Sequence, residues 1–177
     1  MALSRNSILA YCSAVTGFYL IATAYSFYYI KVFMNLYHIK EGWFQGAQLL
    51  YLIWNAINDP LFAYIQDSTN FKFTKTRRES IMSSGPLFAF SFLLPWVPLS
   101  DNSVIVGLHL ITSLFIWDTL FTFVGLAQSA LSAEISTDSY DRVKLMQYST
   151  LGPLIGSSSV LLLEYTSNSL QNSKTSS

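Results

Sequence analysis

Between Trp54 and Asp67 the chain reads WNAINDPLFAYIQD, and Asn55, Asn58 and Asp59 within it are spaced to act together. Steps of three and four residues bring side chains onto one face of a helix. Two amides and a carboxylate on one face offer oxygens to a small cation and donors and acceptors to a polar solute. Their neighbours Tyr51, Leu52, Ile53, Trp54, Ile57, Leu61 and Phe62 suit lipid or a packed helix. A carboxylate inside a bilayer costs about 2.5–3.5 kcal/mol on insertion scales, so it faces a polar interior, either as a site on a solute or ion path or as a buried structural partner. Pro60 removes a backbone donor beside Asp59 and leaves a carbonyl of the preceding turn without its usual bond. A second set lies further on. Asp118 and Thr122 are four apart and share a helix face, extended by Gly125 and Ser129. Asp118 reads as a site residue or as the acceptor of a buried bond from a neighbouring helix. The Thr122 hydroxyl can ligate a cation, bond a carboxylate, or bond its own backbone.

The elements that must carry these residues follow from composition. The 177 residues are 51% hydrophobic and only 11% charged. A soluble domain carries about 25% charged residues, so the composition points to an all-α integral membrane protein. About five apolar runs approach the roughly 20 residues that a spanning helix needs: 8–30, 43–65, 80–97, 104–131 and 145–163. In the first, Ser13 and Gly17 form a small-xxx-small face on which another helix can lie close. In the last, Gly152 and Gly156 form a GxxxG pair, with Pro153 between them as a source of a kink. Residues 166–177 are polar and low in complexity, which predicts a disordered tail.

Charge sets the orientation. Arg5, Lys72, Lys75, Arg77, Arg78, Arg142 and Lys144 fall on one side of the five-span arrangement, against Lys31, Lys40 and Lys174 on the other. Basic residues concentrate in the cytoplasm, so the amino terminus and the 72–78 loop are expected there. The net charge of zero gives no footprint for a nucleic-acid partner. Cys12 stands alone, without a disulfide or metal-ligand companion. No nucleophile–base pair or metal cluster is legible, so no enzyme and no cofactor are expected. The partners expected are membrane lipid, full-length protein and, for full-length relatives, a small solute. The sequence leaves plasma membrane or endolysosomal membrane open.

Three stretches carry a family resemblance: WNAINDPLFAYIQD, TKTRRESIMSSGPLFAFSFLLPW, and DTLFTFVGLAQSALSAEISTDSYDRVKLMQYS. The chain resembles the amino-terminal half of a major facilitator superfamily transporter, in the glycoside–pentoside–hexuronide:cation symporter branch and its transmembrane protein 180-like group. The resemblance implies a fold of twelve helices in two halves with the solute held between them, of which this chain would supply an incomplete first half. It implies that Asn58, Asp59 and Thr122 stand where that branch holds its coupling cation, sodium or proton. Asn55 occupies a place where the sugar symporters carry a carboxylate, and Gly125 a place where they carry a sugar-binding acid. Asp67, Arg77 and Arg78 match the charges of a cytoplasmic latch; a solvated, basic loop is the alternative. Two functions are therefore expected of such a chain. One is the solute:cation symport type of its intact relatives. The other is that of a truncated isoform or decayed copy without transport, with a structural role or one in pairing with full-length protein.

Overall fold

The computed structural model describes residues 5–67, 76–135 and 138–175, with side chains up to Thr166. The described residues are helical, with no strand among them: α1 Arg5–Lys31, α2 Glu41–Asp67, α3 Arg77–Ser91, α4 Ser103–Ile135, α5 Ser139–Ser149 and α6 Leu151–Thr175. A π-helical segment, Val32–Leu36, prolongs α1, and a 3-10 turn, Leu94–Trp96, follows α3. Two helical stretches, Arg5–Leu36 and Ser103–Ile135, are long and apolar enough to cross a membrane by length and composition. Lys72 and Lys75 of the expected basic loop lie outside the described residues.

Contacts divide the chain into two compact units, and the division falls within α1: one unit spans Tyr28–Glu134, and the other joins the chain up to Phe27 with the chain from Ile135. In the Tyr28–Glu134 unit, local chemistry sets the ends of the elements. Thr76 caps α3 by accepting from the Glu79 N–H at 3.2 Å. α3 stops at Ser91 because Pro95 has no N–H to give its carbonyl. The run expected at 80–97 is therefore a 15-residue helix and a separate turn. After the π-helical segment, His38 takes φ 48°, a left-handed conformation that ends a helix. The Tyr37 N–H then closes on the Val32 carbonyl and the Ile39 N–H on the Phe33 carbonyl, each at 3.0 Å.

Pairings along α2 and α4 fix their relative direction. A Cβ on Gly107 would fall on the Trp43 indole, so a residue without a side chain lets the two helices close there. Trp54 stacks on Phe115 at 5.3 Å, and Phe62 meets Phe123 edge-on at 5.7 Å. Partner numbers rise together, so α2 and α4 run parallel. α3 runs against α4: Arg77 meets Glu134, Phe88 packs on Trp117 at 4.6 Å, and the Leu94 carbonyl meets His109 at 2.9 Å. Phe33, Leu110 and Leu114 are fully enclosed in this unit.

In the other unit α6 lies along α1. A Cβ on Gly152 would stand 3.1 Å from Val15 Cγ1, and one on Gly156 would stand 2.9 Å from the Tyr19 carbonyl. The GxxxG pair is thus a helix contact. The expected small-residue face at Ser13 and Gly17 is not: nothing lies within 4 Å of a Cβ on Gly17. Both residues instead line an open groove of about 820 Å³ with Cys12, Thr16 and Tyr148.

The single run expected at 145–163 is broken at Thr150, where α5 ends. Pro153 cannot donate to the Ser149 carbonyl, so a continuous helix would lose that bond. A restart at Leu151 places the proline in the first turn, where no donor is needed. Thr150 itself keeps helical dihedrals, φ -64° and ψ -18°, so the interruption ahead of Pro153 is a single residue long. α5 carries Asp141, Arg142 and Lys144 and is capped by Asp138, which accepts from the Tyr140 N–H at 3.0 Å. The helical backbone of α6 continues to Thr175, through most of the stretch expected as a disordered tail.

Candidate functional site

The polar face of α2 meets that of α4 midway along both helices. Asn55 donates from Nδ2 to Asp118 Oδ1 at 3.0 Å. Asn58, one turn on, donates from Nδ2 to the other oxygen, Oδ2. The Tyr51 hydroxyl bonds the same carboxylate. One turn further, Thr122 donates from Oγ1 to Asp59 Oδ1 at 3.2 Å. All five site residues expected from the sequence, Asn55, Asn58, Asp59, Asp118 and Thr122, are therefore brought together. Thr122 bonds a carboxylate across the helix interface, which was one of its open readings.

The two acids stand differently. Asn58 and Asp118 are enclosed, at 0% and 1% exposure, whereas Asp59 is exposed. A carboxylate offers about four lone pairs; three donors reach Asp118, which leaves one, and Asp59 keeps most of its own. Asn58 Oδ1 is buried and accepts no hydrogen bond. A buried acceptor without a donor is unfavourable by about 1–3 kcal/mol and is the kind of oxygen that a cation satisfies. Asp59 and Asp118 act on each other electrostatically. Asn58, Asp59, Asp118 and Thr122 are thus linked across the α2–α4 contact as two bonded sets, Asn58 with Asp118 and Thr122 with Asp59.

Arg77 organises the end of the same unit at which α2 and α4 finish. It bonds Asp67 at 2.5 Å, Glu134 at 3.4 Å through Nε, and Gln66 Oε1 at 3.2 Å. Gln66 in turn donates to the Phe123 carbonyl at 2.6 Å. α2, α3 and α4 are tied together by one guanidinium that is only 17% exposed. Of the expected latch residues, Asp67 and Arg77 are joined. Arg78 is exposed, and no ion pair links it to another described residue.

Sequence reasoning missed Tyr51, Gln66 and Glu134. Tyr51 and Gln66 were legible as further steps of the same stripe, since 51, 55, 58, 62 and 66 follow one another by three or four. Glu134 carried no signal beyond a charge near the end of an apolar run.

A sequence profile of the family described as MFS/sugar transport protein matches residues 10–175. The chain belongs to that family. It is accordingly a transporter-like membrane protein. Transmembrane protein 180 of Gallus gallus is 31% identical over 147 residues, which cover 76% of this chain and 28% of the relative. Transmembrane protein 180 of Mus musculus is 32% identical over 146 residues, 75% of this chain and 27% of the relative. The chain thus spans just over a quarter of the length of these curated relatives. No solved structure matches.

Proposed function

We propose that this family member holds a small monovalent cation, sodium or proton, between α2 and α4, and that its longer relatives couple such a cation to the movement of a solute. The buried, unpaired Asn58 Oδ1, on a side chain that also bonds Asp118 and next in sequence to Asp59, carries the reading. Asp59 is its most accessible ligand, with Asp118, Asn55 and Thr122 completing the set. Trp54 and Trp117 flank the site and supply a signal. In the purified chain, sodium chloride added against choline chloride at constant ionic strength is expected to change tryptophan fluorescence saturably. Asp59→Asn should raise the half-saturating concentration at least tenfold, and in a full-length relative it should abolish cation-coupled uptake at near-normal membrane abundance. Unchanged uptake and an unchanged fluorescence titration in Asp59→Asn would remove the assignment.

A second reading, without transport, is favoured by the three donors already on Asp118: the contact then serves only to join the helices, and the chain acts as a structural bundle or as a partner of full-length protein. It requires Asp59→Asn to lower abundance and activity together.

The orientation proposed for the bundle places the amino terminus and the Arg77 end of α3 in the cytoplasm. With Cys12 replaced by serine, Asp101→Cys should react with an impermeant thiol reagent on intact cells and Glu79→Cys should be protected. The opposite pattern reverses the topology. The membrane is the plasma membrane or an endolysosomal one.

A further inference from the structure

In the unit that joins α1 with α5 and α6, the open groove of about 820 Å³ runs along α1 from Arg5 to Leu20. Its α1 residues advance by three and one in turn, which keeps them on a single helix face. At about 1.5 Å per residue, that face is about 22 Å long. One leaflet of a bilayer, headgroups included, is about 20–22 Å thick. Tyr148, Leu151 and Ile155 form the opposite wall. Gly152 lies beside Val15 and Thr16, and Gly156 beside Tyr19 and Thr23, so α6 runs parallel to α1. Tyr148 precedes Gly152 and therefore stands toward the Arg5 end. Arg5 is the one charged residue of the lining. It is exposed, and no ion pair links it to another described residue. Toward Leu20 the walls are apolar, with Leu151 and Ile155 facing α1. The groove thus has a cationic end, an apolar body and the length of one leaflet.

We propose that this groove holds one anionic glycerophospholipid, with its phosphate at Arg5 and Tyr148 and an acyl chain between α1 and the Leu151–Ile155 wall. A guanidinium presents two N–H groups to a phosphate in a fork, and the Tyr148 hydroxyl adds a third donor. Basic residues at a membrane surface draw anionic lipids, whereas a zwitterionic headgroup brings its own ammonium to the same place. Two other occupants fit less well. A spanning helix would make contact over about 30 Å and gain nothing from Arg5. A second copy related by a two-fold axis along the membrane normal would set Arg5 toward its own counterpart. The lipid site does not depend on the cation site, which lies in the other unit.

The full 177-residue chain is reconstituted in phosphatidylcholine nanodiscs with a trace of phosphatidylglycerol that carries a diazirine in its acyl chain. After illumination, adducts are expected on residues 5–20 and 148–155. Unlabelled phosphatidylglycerol should compete for them at least tenfold better than added phosphatidylcholine. Arg5→Gln should reduce that preference to less than threefold, and Arg5→Lys should keep most of it. A Cβ on Gly17 meets nothing within 4 Å, so Gly17→Leu can fill the groove with the unfolding midpoint unchanged; it should lower the adducts at least fivefold. Equal competition by the two lipids, or adducts indifferent to Arg5→Gln and Gly17→Leu, would reduce the lipid to ordinary solvent and overturn the site. Oxidation that joins Cys12 to the Cys12 of another chain, in place of lipid adducts, would assign the groove to a second copy and overturn it too. The same competition in full-length transmembrane protein 180 of Mus musculus tests the remaining occupant: no adducts on its segment equivalent to α1 would give the groove to a protein helix and overturn the lipid.

Discussion

Asp118→Leu is expected to destabilise the Tyr28–Glu134 unit by about 3 kcal/mol or more, and Asp118→Asn by much less. Interhelical hydrogen bonds between neutral groups in a bilayer average only about 0.6 kcal/mol, because the separated helices find other partners. A bond to a charged group contributes about 1.5–3 kcal/mol, and Asp118 receives amide donors on both of its oxygens. Leucine would leave the Asn55 and Asn58 amides, both on the face of α2 that meets α4, with no acceptor opposite them. Asparagine restores one acceptor oxygen at nearly the same volume, but it removes the charge that a cation would meet. The two variants should therefore separate stability from binding. Leucine lowers the midpoint of unfolding in mixed detergent micelles; asparagine nearly preserves it and abolishes the sodium-induced fluorescence change. A leucine variant as stable as the parent would show that α2 and α4 are held by their aromatic pairs, Trp54–Phe115 and Phe62–Phe123, and not by the carboxylate.

The second large effect is expected at Gly156. Its missing Cβ faces a backbone carbonyl, that of Tyr19, and the Thr23 hydroxyl at 3.0 Å. Thr23 is itself bonded to the Tyr19 carbonyl at 2.7 Å and has little room to turn away. Backbone yields less readily than the end of a side chain, so an added methyl must push α6 from α1. Overpacking of this kind costs about 1–3 kcal/mol, and Gly156→Ile more than Gly156→Ala. Gly152→Ala meets mainly a Val15 methyl, which can shift, and should cost a few tenths of that range. Gly17→Ala meets nothing within 4 Å and should be neutral or stabilising by up to about 1 kcal/mol through helix propensity. Unfolding midpoints should rank the three variants with Gly156→Ala lowest and Gly17→Ala highest. Equal losses at Gly152 and Gly156 would mean that α6 does not lie on α1 in the register described.

By itself the sequence determined what is local. Apolar runs interrupted by proline, glycine and capping residues dictate helices, because side-chain volume and backbone donors act within a turn or two. The stripe of α2 was legible for the same reason: Asn55, Asn58 and Asp59 must share a face once the segment is helical, and so must Asp118 and Thr122 on α4. Pro153 was legible as an interruption, because a proline removes a donor wherever it stands in a helix. Which face meets which was left to the tertiary structure. The amides of α2 turn to Asp118 rather than to Asp59 because the parallel alignment of α2 and α4, set by α3 running back between their ends in sequence, places residue 55 level with 118 and 59 level with 122. The same long-range choice made Glu134 a partner of Arg77 and set Gly156, not Gly17, against the backbone of a neighbouring helix. Spacing along a helix fixes which side chains share a face; only packing between helices, which depends on the shapes of both surfaces at once, fixes what that face meets.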